Sequence, residues 1–261
     1  MPLHVELRGS GPALVLLHGF TQTGRLWGPL ADLLAESYTL VAVDLPGHGD
    51  SGSVRADLPA TAGLVAEAVR SQVGDGPPAI LGYSLGARVA LHVAIGTDLP
   101  LRRVVTIGVT AGIEDSAERE RRRQSDESLA DELEASGDVE RFVDAWLRGP
   151  LFERLDSSGA AQRTERMRNT AAGLASSLRL CGTGTQAPLW DRLPGFPCPV
   201  LALAGSDDIR FASHALRVAR LVPHGVASLV PGGGHAVHLA QPEQTARIVR
   251  HWLDAPGSGA P

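Results

Sequence analysis

The chain has 261 residues, 43% of them hydrophobic and 20% charged, with a formal net charge of −5. These values suit a globular protein with a substantial core, either one large domain or one domain carrying an insertion, and the acidic balance argues against nucleic-acid binding. No apolar run approaches the length of a bilayer span and the start lacks a secretory pattern, so a soluble cytoplasmic protein with no membrane partner is expected.

All 24 basic residues are arginine. Any cationic site must therefore be built from guanidinium groups, which suit carboxylates bidentately. Cys181 and Cys198 have neither a CxxC nor a Cys/His context and read as buried or incidental thiols, with no metal site and no disulfide framework.

Val5 to Arg8 reads as an edge strand. Ala13 to Leu17 is a continuous apolar run, the pattern of a strand covered on both faces, and it ends in His18-Gly19-Phe20. Gly24 to Glu36 places Leu26, Trp27, Leu30, Leu33 and Leu34 at helical spacing. Thr39 to Val43 is the next strand, followed by the turn formers Asp44 to Ser51. Pro59 to Val73 reads as a helix, Ala79 to Leu81 as a strand, Ala87 to Ile95 as a helix and Arg103 to Ile107 as a strand. Alternation of this kind implies an α/β fold, a mostly parallel sheet flanked by helices, with ligands at the carboxyl ends of the strands.

The rhythm breaks after Ile107. Glu118 to Arg123 is almost wholly charged, Leu129, Leu133, Val139, Phe142, Val143, Trp146 and Leu147 recur at helical spacings, and Arg163 to Leu180 is a third helical stretch. Residues 112–187 are expected to form a helical cap inserted into a core of residues 1–111 and 188–254. Val200 to Ala204 and Val226 to Val230 complete the strands, Phe211 to Leu221 and Gln241 to Leu253 the helices. The Gly/Pro/Ser-rich tail, 255–261, is expected to be disordered.

The chemistry centres on Gly82-Tyr83-Ser84-Leu85-Gly86. A serine between glycines at a strand-to-helix junction reads as an elbow that lifts Oγ off the sheet edge. Its strained backbone needs small neighbours where strand and helix approach closely. A serine hydroxyl needs an imidazole to take its proton, and the imidazole needs a carboxylate to fix its tautomer. In such folds the chain order is Ser, Asp, His. Asp207 or Asp208 follows one late strand, and His235 follows the other within Pro231-Gly232-Gly233-Gly234-His235. His238 is the rival histidine, and one of the two aspartates is expected to cap the next helix. An oxyanion needs N–H donors, for which the amides of Leu85 and Phe20 are placed. His18 and His48 are read as residues that fix their loops.

Together these motifs resemble the α/β-hydrolase superfamily from end to end, with Leu17-His18-Gly19-Phe20, Asp44-Leu45-Pro46-Gly47-His48-Gly49, the Ser84 elbow, Asp208 and Gly234-His235 in order. The cap narrows the resemblance. Thr110-Ala111-Gly112-Ile113, Glu118 to Arg123 with Ser125-Asp126, Trp146 with Pro150-Leu151-Phe152, Arg166 to Asn169, Gly173-Leu174-Ala175-Ser176-Ser177-Leu178-Arg179 and Gly182-Thr183-Gly184-Thr185-Gln186 look like the 2-succinyl-6-hydroxy-2,4-cyclohexadiene-1-carboxylate synthase family of menaquinone biosynthesis. Asp208-Ile209-Arg210-Phe211 resembles its Asp-x-Lys/Arg-Phe.

That resemblance implies a lyase that removes pyruvate from 2-succinyl-5-enolpyruvyl-6-hydroxy-3-cyclohexene-1-carboxylate without a cofactor. Ser84 would abstract a ring proton, relayed by His235 and oriented by Asp208, which the family spacing favours over Asp207. Arg88, Arg122 and Arg166 would bind the carboxylates of this small-molecule polycarboxylate, with Tyr83 and Trp146 as neutral contacts. The register within Arg121-Arg122-Arg123 stays open by one residue. A monomer or weak homo-oligomer is expected. The alternatives are a carboxylic-ester hydrolase of the same fold, in which Ser84 forms an acyl-enzyme, and a non-catalytic ligand receptor on the same scaffold.

Overall fold

The computed structural model describes residues 2–74, 76–152 and 159–255. Among these residues seven strands, β1 (Val5–Arg8), β2 (Ala13–Leu17), β3 (Thr39–Val43), β4 (Ala79–Tyr83), β5 (Arg103–Ile107), β6 (Val200–Gly205) and β7 (Gly225–Val230), form one sheet in the order β1-β3-β2-β4-β5-β6-β7. Only β1 is antiparallel to its neighbour; every other pairing is parallel.

Side chains alternate across the sheet, and each face has its own core. Val15, Leu17, Val41, Val43 and Ile80 pack beneath α2 (Leu58–Gln72), α3 (Leu85–Gly96) and α8 (Ile209–Leu221). Leu14, Leu16, Leu40, Leu81 and Val105 pack against α1 (Pro29–Ala35) and α10 (Pro242–Asp254). Among the described residues four helices stand between β5 and β6: α4 (Ser116–Ser136), α5 (Val139–Leu147), α6 (Gly159–Arg166) and α7 (Ala171–Cys181). Arg179 ties α7 to α4 through Glu127, Asp131 and Glu134, above a small core of Ala130, Ala175 and Leu178.

Two helical stretches differ from the sequence expectation. The run from Gly24 yields only α1, because Gly28 adopts φ 55° and Pro29 has no N–H to extend a helix backwards. The stretch Arg163 to Leu180 is broken after Arg166. There Asn169 Nδ2 donates to the Arg166 carbonyl at 3.0 Å, and Thr170 restarts the helix by accepting from Gly173 N–H at 3.1 Å. The one-turn α9 (Val237–Ala240) was too short to show a period. Both cysteines are free and buried. Among the described residues no helix is long and apolar enough to cross a membrane. Past Ala255 the expected tail lies outside the described residues.

The close packing of α3 against the end of β2 depends on Gly86, where an added Cβ would stand 1.8 Å from the Leu17 carbonyl oxygen. Gly86→Ala is expected to lower unfolding free energy by about 2 kcal/mol or more, read from urea unfolding. A loss below about 0.5 kcal/mol would contradict this packing.

Candidate active site

Ser84 ends β4 with φ 51° and ψ −104°, a left-handed backbone, and its N–H donates to the Ile107 carbonyl at 2.8 Å. It precedes α3 without capping it through its side chain, which leaves Oγ available. His235 Nε2 lies 3.1 Å from Ser84 Oγ, and His235 Nδ1 lies 2.7 Å from Asp208 Oδ2. With a carboxylate at Nδ1 that nitrogen carries the proton, so Nε2 is the acceptor facing the serine hydroxyl. Asp208 also does the capping anticipated for one of the two aspartates: its Oδ1 accepts from Phe211 N–H at 3.4 Å at the start of α8.

Asp207 is exposed beside it, accepting from Ser206 Oγ, with its amide on the Gly233 carbonyl. The loops bearing Asp208 and His235 touch through glycine: a Cβ on Gly205 would meet the Gly233 carbonyl oxygen at 2.1 Å. His238, the rival, is fully buried in α9, with its ring 4.1 Å from that of Tyr83.

The Phe20 amide is set by its own peptide. Leu45 N–H donates to His18 Nε2 at 3.0 Å, which leaves the proton on Nδ1 to donate to the Gly19 carbonyl at 2.8 Å. Gln22 N–H donates to the same oxygen at 3.1 Å. In a trans peptide the N–H points away from the carbonyl, so fixing Gly19 O fixes the Phe20 N–H. Among the described residues neither the Phe20 nor the Leu85 amide has a protein acceptor. The Leu85 amide also sits at the N-terminus of α3, where the helix dipole favours negative charge.

A cavity of about 80 Å³ joins these groups, and Ser84, His235, Phe20, Leu85, Arg88, Arg122 and Trp146 all line it. Arg88 is 8% exposed, and burial lowers its pKa to about 10. Its Nη1 reaches only neutral acceptors, Gln186 Oε1 at 3.3 Å and Gly182 O at 3.4 Å. Arg122 is the member of the 121–123 run on the cavity wall; Arg121 and Arg123 are exposed. Arg122 Nε donates to Asp126 Oδ1 at 2.9 Å, and burial raises the Asp126 pKa against the pull of that arginine.

Two expected contacts are not brought to the cavity wall. Tyr83 is 2% exposed beneath Gly19, between the rings of His235 and His238. Arg166 is wholly buried, its Nη1 on Thr21 Oγ1, while its Nε and Nη2 have no partner among the described residues. Burial lowers its pKa to about 10.

Sequence reasoning missed Gly108, Phe211 as a wall, and the polar lining of Thr110, Ser177 and Thr183. Gly108 has φ 62°, and a Cβ there would come 2.7 Å from His235 Cε1. A glycine directly after a strand was the available signal. The Phe211 ring lies 4.3 Å from the His235 ring.

His4, Asp44 and Asp50 offer ligand atoms within 4.8 Å of one another. However, Asp44 already accepts from the amides of Gly24 and Asp50 at 2.6 and 2.8 Å, and Asp50 pairs with Arg168. That cluster serves the turn.

A family model described as the alpha/beta hydrolase family matches residues 14–248. A putative 2-succinyl-6-hydroxy-2,4-cyclohexadiene-1-carboxylate synthase of Bacillus subtilis (strain 168) is 33% identical over 251 residues, covering 94% of this chain and 91% of its own length. A pimeloyl-[acyl-carrier protein] methyl ester esterase of Stenotrophomonas maltophilia (strain K279a) is 33% identical over 265 residues, covering 97% of both chains. A solved structure of MenH from S. aureus superposes with a TM-score of 0.90 at 29% identity, covering 96% of this chain and 98% of its own.

Burial holds several histidines neutral. It lowers the pKa of His18 and His92 to about 4 and that of His48 and His238 to about 3, from an ordinary value of 6.5. Between those values the unfolded chain binds more protons than the folded one, so stability present above pH 6.5 is lost as pH falls toward 4. The thermal midpoint is expected to drop steadily across that interval in circular dichroism melts. A midpoint that does not change there would show that these rings are not held neutral.

Proposed function

This chain belongs to the alpha/beta hydrolase family, and from that premise we propose that it is a carbon–oxygen lyase. In this reading it eliminates pyruvate from 2-succinyl-5-enolpyruvyl-6-hydroxy-3-cyclohexene-1-carboxylate to give 2-succinyl-6-hydroxy-2,4-cyclohexadiene-1-carboxylate. The observation that carries the reading is the presence of two guanidinium groups, Arg88 and Arg122, in the same small cavity as the Ser84–His235 pair. A neutral ester needs no such walls, whereas a polycarboxylate does. The relatives named as synthases, aligned over nearly the whole chain, support it.

In the proposed step Ser84 Oγ takes a ring proton while its own proton passes to His235 Nε2, with Asp208 holding the imidazole. The electron pair left on the ring carbon becomes the new double bond. The bond to the enolpyruvyl oxygen breaks with its electron pair leaving on that oxygen, and the departing enolate takes the proton held by His235 at its methylene carbon to become pyruvate, which restores the neutral imidazole. Enolate charge that develops on the way is met by the Phe20 and Leu85 amides. The proton and the leaving group are both accounted for, so the step asks for no cofactor. Arg166 lies off the cavity wall, but its Nε and Nη2 have no partner among the described residues and an uncompensated buried guanidinium is costly, so it is assigned a carboxylate that reaches it as the pocket opens. Ligand pockets usually enclose several hundred Å³, about 300 or more, so the substrate enters only as walls such as Trp146 and Leu151 give way.

The second reading, hydrolysis of a carboxylic ester, is favoured by the methyl ester esterase relatives. The two diverge at Ser84. Hydrolysis passes through an acyl-serine, which intact-protein mass spectrometry after rapid quenching detects, and elimination leaves the protein mass unchanged.

Ser84→Ala is expected to abolish turnover while leaving substrate binding nearly intact by calorimetry; full activity in that variant would sink the mechanism. Arg88→Ala is expected to cut kcat/KM at least tenfold, about 1.4 kcal/mol for one lost charge-assisted contact. A change smaller than twofold would remove Arg88 from the substrate site.

A further inference from the structure

The loop that presents the Phe20 amide is held by the cap. Thr21 has φ 66°, a left-handed backbone in a residue other than glycine. Such a conformation persists only where the surroundings over-determine it. All three polar groups of Thr21 are engaged. Its N–H donates to His48 Nε2 at 3.3 Å, its carbonyl accepts from Asn169 Nδ2 at 2.8 Å, and its Oγ1 accepts from Arg166. Arg166 and Asn169 bracket the turn between α6 and α7, so two of the three anchors of Thr21 come from the helical segment between β5 and β6.

Asn169 is itself fully committed. Its Oδ1 accepts from Gly49 N–H at 2.9 Å, and its Nδ2 makes a second bond to the Arg166 carbonyl at 3.0 Å. These partners also fix which end of the amide is oxygen, since an N–H faces one end and two carbonyls face the other. The Gly49 loop is closely packed in turn: a Cβ there would meet Asp44 Oδ2 at 2.3 Å. One side chain, 5% exposed, thus pins the Phe20–Thr21 segment, the Gly49 loop and the cap turn to one another. It does not line the catalytic cavity.

We propose that Asn169 is a positioning residue for the oxyanion hole. It fixes the carbonyl of Thr21, and through it the Gly19–Phe20–Thr21 segment that aims the Phe20 amide at the cavity, so that the hole is complete only with the cap turn seated. The proposal rests on the assignment of Ser84 and the two amides made above. It predicts an effect on the reaction step with little effect on substrate binding, because Asn169 touches no part of the cavity.

Asn169→Asp keeps the shape and the bond from Gly49 but sets an oxygen against the Thr21 carbonyl. Two rates are read: elimination from the enolpyruvyl substrate, and phosphonylation of Ser84 by an alkyl fluorophosphonate. In the second, Oγ attacks phosphorus, fluoride leaves, the serine proton goes to His235, and charge develops on the oxygen facing the hole. The variant is expected to lose tenfold or more in kcat and in the phosphonylation rate constant, with KM within threefold of the wild-type value. Asn169→Ser, which lacks the repulsion, is expected to lose less in both, and it carries the test should the aspartate variant not fold.

Folded variants with both rates within twofold of wild type overturn the proposal, as does a KM that rises in step with any fall in kcat. A wild-type protein that performs no elimination, but whose phosphonylation slows on Asn169→Asp, sinks the lyase reading and leaves the positioning role standing. A wild-type Ser84 that the fluorophosphonate does not label overturns both.

Discussion

The site depends on one strained backbone, that of Ser84 at φ 51° between β4 and α3. A turn this tight brings the first residues of α3 against the end of β2, where Gly86 sits with space for hydrogen alone beside the carbonyls of Leu17 and His18. The same contact places the loop after β2 next to the serine. Phe20 and Leu85 come from different elements, yet both line one cavity because the elbow forces those elements together. The histidine and aspartate arrive by the parallel register of β6 and β7, whose loops meet at Gly205 and Gly233. Glycine is therefore required at the elbow and again at the contact between those two loops.

The arginines divide by what surrounds them. Arg179 satisfies itself on three carboxylates near the surface and serves the cap's own architecture. Arg88 and Arg166 are buried against neutral oxygens, and burial pulls the pKa of each down to about 10. A guanidinium held in that way is destabilising unless an anion joins it. Arg122 is intermediate, sharing Asp126, whose carboxyl is itself pushed up by burial. Arg88 of α3, with Arg122 of α4 and Arg166 of α6, thus gives a positive interior to a chain of net negative charge, which is the electrostatic case for the proposed polycarboxylate ligand.

Much of this was legible in the residues. Continuous apolar runs gave β2 to β6 within two residues, since runs of strand length bounded by turn residues are too short for buried helices. The placement of Ser84, Asp208 and His235 past three strand ends named the three side chains that the structure brings within hydrogen-bond distance. What failed was local. Gly24 to Leu34 has helical spacing, but Pro29 and the positive φ of Gly28 confine the helix to its second half. The break at Asn169 is invisible to periodicity because it comes from a side chain taking up helix carbonyls. Tyr83 was expected at the cavity, but alternation along β4 sends it to the opposite face from Gly82 and Ser84, into the core with His238. Arg122 could be chosen over its neighbours only once the face of α4 was known.

The most direct test of the lyase assignment follows absorbance of the conjugated diene during incubation with the enolpyruvyl cyclohexene substrate, with pyruvate assayed in the same samples. The account predicts diene and pyruvate rising in equal amounts, and neither appearing with Ser84→Ala. Neither product from the wild-type protein, together with efficient cleavage of p-nitrophenyl esters, would contradict it and leave an ester hydrolase with an unexplained arginine-lined cavity.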